Sequence, residues 1–172
     1  MRAIKNEKEV TMSNGLRDTK NDLGANVRQE MVAMLNTALA CAIDLSAQTK
    51  QAHWNVRGPN FAQLHPFFDG LYTIAVGMVD ELAERITALG GLAEGRVQTI
   101  ASNTKLPTLM ATTDEKDHLQ GLVNSFSTFA AFTRHGIDTA AEKGDQVTAD
   151  LLTGQTRELD KQLWMLEAHF TK

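Results

Sequence analysis

Apolar residues recur every third or fourth position along four long segments of this chain, and that periodicity constrains the fold more than any other feature. In the first segment Val27, Met31, Met34, Leu35, Ala38, Ala42, Leu45 and Thr49 form one stripe, which predicts a helix from Asn26 to Trp54. Asn55, Gly58 and Pro59 interrupt it, and Asn60 stands where the N-cap of the next helix belongs. The second helix is predicted from Phe61 to Leu89, stopping at Gly90-Gly91. A third runs from Asp114 to Glu142 with Leu119, Leu122, Phe126 and Phe129 on its face and Thr113 as a capping residue. A fourth, from Asp145 to His169, carries Leu151, Leu152, Leu159, Leu163 and Leu166. Each helix can bury its stripe only against the others, so the expectation is an all-α four-helix bundle. The connection over 91–113 is too long for a simple turn, so it crosses the bundle, with a short extra helix at Ala93–Ile100.

Residues 1–24 lack that periodicity and are expected to form a flexible N-terminal tail, leaving 25–172 as a single bundle domain. Up to Arg28 the chain carries six basic residues against four acidic ones, whereas the whole protein has a net charge of −4. A mildly basic tail of this kind makes DNA a possible but weak partner. Residues Glu7 and Glu9 stand where a secretory leader would need apolar ones, and no run of about 18 apolar residues suggests a membrane span. The single cysteine, Cys41, lies in an apolar helical run and reads as a core residue of a reducing compartment. A cytoplasmic location follows, on the nucleoid if the tail holds DNA.

The second helix also carries chemistry. His65 and Asp69 are four residues apart, as are Asp80 and Glu84, so each pair projects from adjacent turns as a two-ligand half-site. Asp69 and Asp80 are eleven residues apart, about three turns, which places both half-sites on one stripe roughly 16 Å apart along the axis. Ligand bonds are only about 2 Å long, so one ion cannot bridge them. A second copy of the helix, packed antiparallel about a two-fold axis with its crossing near Ile74 and Ala75, sets each half-site opposite its complement. Mixed imidazole and carboxylate ligands suit ferrous iron, with zinc, manganese or cobalt as competitors. Carboxylates at this spacing are more often a solvated face. Leu64, Phe67, Phe68, Leu71, Val76 and Val79 nearby argue instead for an apolar contact surface, where unpaired charge is costly. Glu115 and His118 form a lone Glu-x-x-His pair in the first turn of the third helix, where a structural role is expected.

The string Lys50-Gln-Ala-His53-Trp54-Asn55, then Gly58-x-Asn60-Phe61, His65-x-x-x-Asp69, and Asp80-x-x-x-Glu84-Arg85 with Leu89-Gly90-Gly91 resembles the Dps family of mini-ferritins, from about residue 27 to the C-terminus. The resemblance implies a ferritin-like bundle assembled from two-fold dimers into a hollow homododecamer, with ferroxidase sites shared between subunits. It adds His53 as a ligand beside His65, Asp69, Asp80 and Glu84. It implies that Fe(II) is oxidised, with hydrogen peroxide preferred to dioxygen, and that Fe(III) mineral is stored inside the shell, protecting DNA. Trp54 then becomes a candidate electron or radical relay, with packing at a helix end as its plainer role. By the same analogy Asp145 and Asp150 become candidates for the wall of a cation pore, against an ordinary role at a helix N-terminus. The alternative function is a DNA-compacting nucleoid shell whose metal sites are weak or filled by zinc.

Overall fold

The computed structural model describes residues 15–170. Four long helices form the bundle: α1 (Ala25–Asn55), α2 (Phe61–Ala88), α4 (Glu115–Glu142) and α5 (Gln146–Glu167), with a short α3 (Val97–Asn103) in the long connection. The bundle and its extra helix are as the periodicity and spacing predict. The core is built from Met31, Leu35 and Leu45 of α1, Leu64, Phe68, Leu82 and Ile86 of α2, Leu122, Phe126 and Phe129 of α4, and Leu152, Leu159 and Leu166 of α5.

Pairing at the bundle ends explains the crossover. The start of α4 lies beside the α1–α2 turn, where Arg57 N–H donates to the Thr113 carbonyl at 2.9 Å. Since α2 runs away from that turn, the chain must return along the whole bundle before α4 can begin. The α3 helix starts later than expected because Asn36 of α1 engages the backbone ahead of it: its Nδ2 donates to the Leu92 carbonyl and its Oδ1 accepts from Glu94 N–H. A backbone held in that way is not free to enter a helix.

Asn60 is the N-cap residue of α2, as expected, but it caps without its side chain. The Asn60 side chain makes no capping bond; its N–H and Nδ2 instead donate to Glu115 at 3.1 and 2.7 Å. Gly58 permits this approach, because a Cβ there would lie 2.3 Å from Glu115 Oε2 and its φ is +149°. Asp114, not Thr113, caps α4 by accepting from Lys116 and Asp117 N–H. Glu115 thus has the structural role expected of it.

Its partner in the Glu-x-x-His pair, His118, is fully buried with its ring edge-on to Phe68, and among the described residues neither ring nitrogen meets a partner at hydrogen-bonding geometry. Burial pushes its pKa down from 6.5, against the nearby Thr112 carbonyl, Asp117 and Asp114. Below pH 6.5 the unfolded chain therefore binds a proton that the folded chain resists, so this residue's contribution to stability declines as the pH falls toward its folded pKa. Replacing an unpartnered buried imidazole by leucine should raise stability by about 1–2 kcal/mol. Denaturant titrations of His118→Leu at neutral and mildly acidic pH check this, with a larger gain expected at the acidic pH.

The tail expected over residues 1–24 is described only in part. Residues 1–14 lie outside the described residues, but the segment 15–24 is docked on the C-terminal end of α2. Leu16 is buried, Arg17 N–H donates to the Gly90 carbonyl at 2.8 Å, and the Arg17 guanidinium donates to the Thr87 carbonyl at 2.6 Å. Arg28 Nη1 reaches the Leu89 carbonyl at 3.0 Å. A helix C-terminus leaves carbonyls unpaired and carries partial negative charge, and two arginines satisfy both needs.

No membrane span is expected from the sequence, yet by length and mean hydropathy (1.3) α1 is apolar enough to cross a membrane. The same profile belongs to the central helix of a bundle, and α1 is packed along its length by α2, α3 and α4. Cys41 is buried there, and burial pushes its thiol pKa up, consistent with a core role.

Candidate metal centre

The antiparallel packing of α1 on α2 sets one residue pair beside another. Moving one turn back along α1 matches moving one turn forward along α2, so His53 faces His65 and Lys50 faces Asp69. The two imidazoles stack with centroids 3.8 Å apart. His53 Nδ1 lies 2.7 Å from the His65 carbonyl, and His65 Nδ1 lies 2.9 Å from the His53 carbonyl. A carbonyl can only accept, so both Nδ1 atoms carry the hydrogen and both Nε2 atoms keep a lone pair. Histidines that hold metals are oriented in this way, with one nitrogen donating to the backbone and the other presented to the ion.

Asp69, half exposed, is hydrogen-bonded and ion-paired through Oδ1 to Lys50. That contact holds its carboxyl below the usual carboxylate range, against a smaller opposing effect of desolvation. The three candidate ligands are therefore neighbours. They do not close on one ion: among the described residues no group of three or more His, Cys, Asp or Glu side chains converges as a metal site.

The second pair lies further along α2, which is helical without a break from Phe61 to Ala88 despite Pro66. Asp80 and Glu84 are both exposed, and among the described residues neither carboxylate has a hydrogen-bond or ion-pair partner. The apolar surroundings inferred from sequence need correction. Leu64, Phe68 and Leu71 point into the chain's own core, and so does Ala75, one of the two residues expected at the crossing. The face that α2 offers between its half-sites consists of the exposed Thr73 and Val76. These two are equally far from the midpoint of the four candidate ligands, so a two-fold axis placed there would still relate the half-sites.

Trp54 is 68% exposed, so packing against the end of its own helix does not describe it. With Lys50, Tyr72, Val97 and Ile100 it lines a largely apolar groove of about 800 Å³ between α1 and the α3 segment. Asp145 is the N-cap of α5, buried and paired with Arg85 at 2.7 Å. Burial opposes its ionisation, yet the hydrogen bonds from Thr148 and Arg85 together outweigh it and hold the pKa below 3.8. A carboxylate committed on both oxygens is a poor ligand for a passing cation, so the pore role expected for Asp145 is withdrawn. Asp150, exposed one turn later, keeps its candidacy.

Lys50 and Arg85 also belong to these surroundings, though the ligand spacing does not single them out. Their signals were present: Lys50 is one helical turn from His53, and Arg85 follows Glu84 directly, but only the helix register identifies their partners.

Comparison with known proteins gives a consistent result. Residues 32–172 match the ferritin-like domain family. A DNA protection during starvation protein of Agrobacterium fabrum is 43% identical over 152 residues, covering 88% of this chain and 94% of the relative. One from Brevibacillus brevis is 34% identical over 83% of this chain and 96% of the relative. The crystal structure of a Dps protein from Vibrio cholerae, described as a member of a broad superfamily of ferritin-like diiron-carboxylate proteins, superposes with a TM-score of 0.85 at 31% identity, covering 91% of this chain and 98% of that one. With the bundle and the crossover helix, these likenesses establish that the chain belongs to the Dps family of ferritin-like proteins.

Proposed function

We propose that this protein is a ferroxidase and iron store, oxidising Fe(II) at sites completed between two copies of the chain. The reciprocal bonding of His53 and His65 carries this reading, because it leaves two imidazole nitrogens available beside Asp69. Asp80 and Glu84 of the facing copy supply the carboxylates that stabilise the developing ferric charge. Zinc, manganese and cobalt suit the same donors and compete for them.

In the overall reaction two ferrous ions each give up one electron to hydrogen peroxide. The O–O bond breaks, two protons are taken up, and two waters leave, so no hydroxyl radical is released. The chain's part is to hold the two ions close together and at fixed distance from the peroxide. Trp54, adjacent to His53 in the chain, takes up a stray oxidising equivalent. Fe(II) enters a hollow dodecamer built from two-fold dimers past Asp150, the ferric product collects inside as an oxyhydroxide, and its removal from solution protects DNA. The protein acts in the cytoplasm.

Direct DNA contact is the weaker part of the reading. Of the six basic residues up to Arg28, Arg17 and Arg28 are tied to α2, leaving fewer charges free for phosphates. The DNA-compacting alternative has no observation of its own in its favour. Rapid mixing of the metal-free protein with ferrous sulfate and hydrogen peroxide tests the proposal by the rise of ferric absorbance. Oxidation faster than in buffer, with iron retained on the protein after desalting, is the expected result; oxidation at the buffer rate would reject it.

A further inference from the structure

The contact between Lys50 and Asp69 raises a question that the ligand set does not answer. A half-site with a free carboxylate would take up any abundant divalent cation, and the facing half-site adds two more carboxylates, the ligands that magnesium and calcium prefer. Lys50 is the positive charge set against them. Its ammonium is held at Asp69 Oδ1 and over the ring of Tyr72, 4.7 Å from the centroid. It is itself partly buried, so the pair does not simply dissolve into solvent.

We propose that Lys50 is a tethered counter-cation that sets which ions the half-site accepts, yielding Asp69 only to an ion that the two imidazoles also bind. The inference rests on the reading of His53, His65 and Asp69 as half of a metal centre. A hard ion interacts chiefly with oxygen, so at this half-site it must displace the ammonium from its main ligand and gains little in exchange. A transition ion displaces the same ammonium but also gains two Nε2 donors, for which Lys50 does not compete. The cost of displacement thus falls on both kinds of ion, and only one kind has a compensating gain. Tyr72 gives the released ammonium a place to stay, since attraction to the ring face persists when the carboxylate is taken by metal. Lysine suits this role because its ammonium is a compact point charge on a flexible stem.

The test is a cobalt(II) titration of the full-length, metal-free protein, followed by visible ligand-field absorption, with and without a large excess of magnesium. The wild type and Lys50→Arg, which keeps the charge, should give cobalt curves that magnesium does not move. Lys50→Gln should bind cobalt more tightly, by up to about fivefold, the range of a partly exposed ion pair. Magnesium should now shift its curve to higher cobalt concentration. Lys50→Gln curves identical to wild type in both series would overturn the proposal. So would weaker cobalt binding by that variant, which would mean that the lysine only aligns Asp69. If none of the three proteins develops a cobalt spectrum, the metal centre itself falls and the proposal with it.

Discussion

Replacing Asp80 and Glu84 together by alanine should slow peroxide-driven iron oxidation by at least about a hundredfold, because both ligands of one half-site are lost while the loss of a mere supporting contact already costs up to that much. The same variant should fold as the wild type does. Both side chains are exposed and, among the described residues, unpartnered, so their removal breaks no contact within the chain. Surface changes of this kind alter stability by only about 0.5 kcal/mol. Initial rates of ferric absorbance, read alongside the thermal unfolding curve, check both halves of the expectation. A variant that loses the fold together with the activity would mark the carboxylates as structural.

The largest effect on stability should come from Arg85→Met. The guanidinium bonds Asp145 Oδ1 at 2.7 Å and Thr148 Oγ1 at 2.9 Å, with side chains only 12% and 1% exposed for Arg85 and Asp145. Removing the cation leaves a carboxylate buried without its ion pair, which typically costs about 3–5 kcal/mol. The pair also has a pH signature. Asp145 ionises below its usual 3.8 in the folded chain, so its stabilising contribution is complete above that value and is lost as pH falls through the lower folded pKa. Without Arg85, burial acts with less opposition, and the acid limb of stability should move to higher pH. Urea titrations at fixed protein concentration, repeated across the acidic range, measure both effects. Adding Asp145→Asn to Arg85→Met should recover part of the loss, since the buried charge is then gone.

The long helices were legible in the sequence because their stripes answer to a single demand, burial against one another. Where a boundary depended on a residue distant in sequence, it was not. The Asn60 side chain is engaged by Glu115 instead of capping α2, and α3 is delayed by Asn36, both across more than fifty positions. The docked segment ahead of α1 was hidden for a related reason: Leu16 is one apolar residue without periodicity, and Arg17 has meaning only beside the carbonyl end of α2.

The candidate site divides in the same way. Spacing alone separates His65 and Asp69 from Asp80 and Glu84, because a helix fixes those intervals. It cannot show that Lys50 faces Asp69, which requires the register of α1 on α2. Asp145 and Asp150 look equivalent as acidic residues near a helix start, yet one is buried against Arg85 and the other is exposed.

Two inactive variants, His65→Ala with Asp69→Ala and Asp80→Ala with Glu84→Ala, test the sharing of the site most directly when unfolded together in equal amounts and refolded. A mixed pair then regains one intact centre, formed from the undamaged half of each chain, so about one quarter of wild-type oxidation should return under random two-fold pairing. A refolded mixture as inactive as either parent would contradict a centre built from two chains.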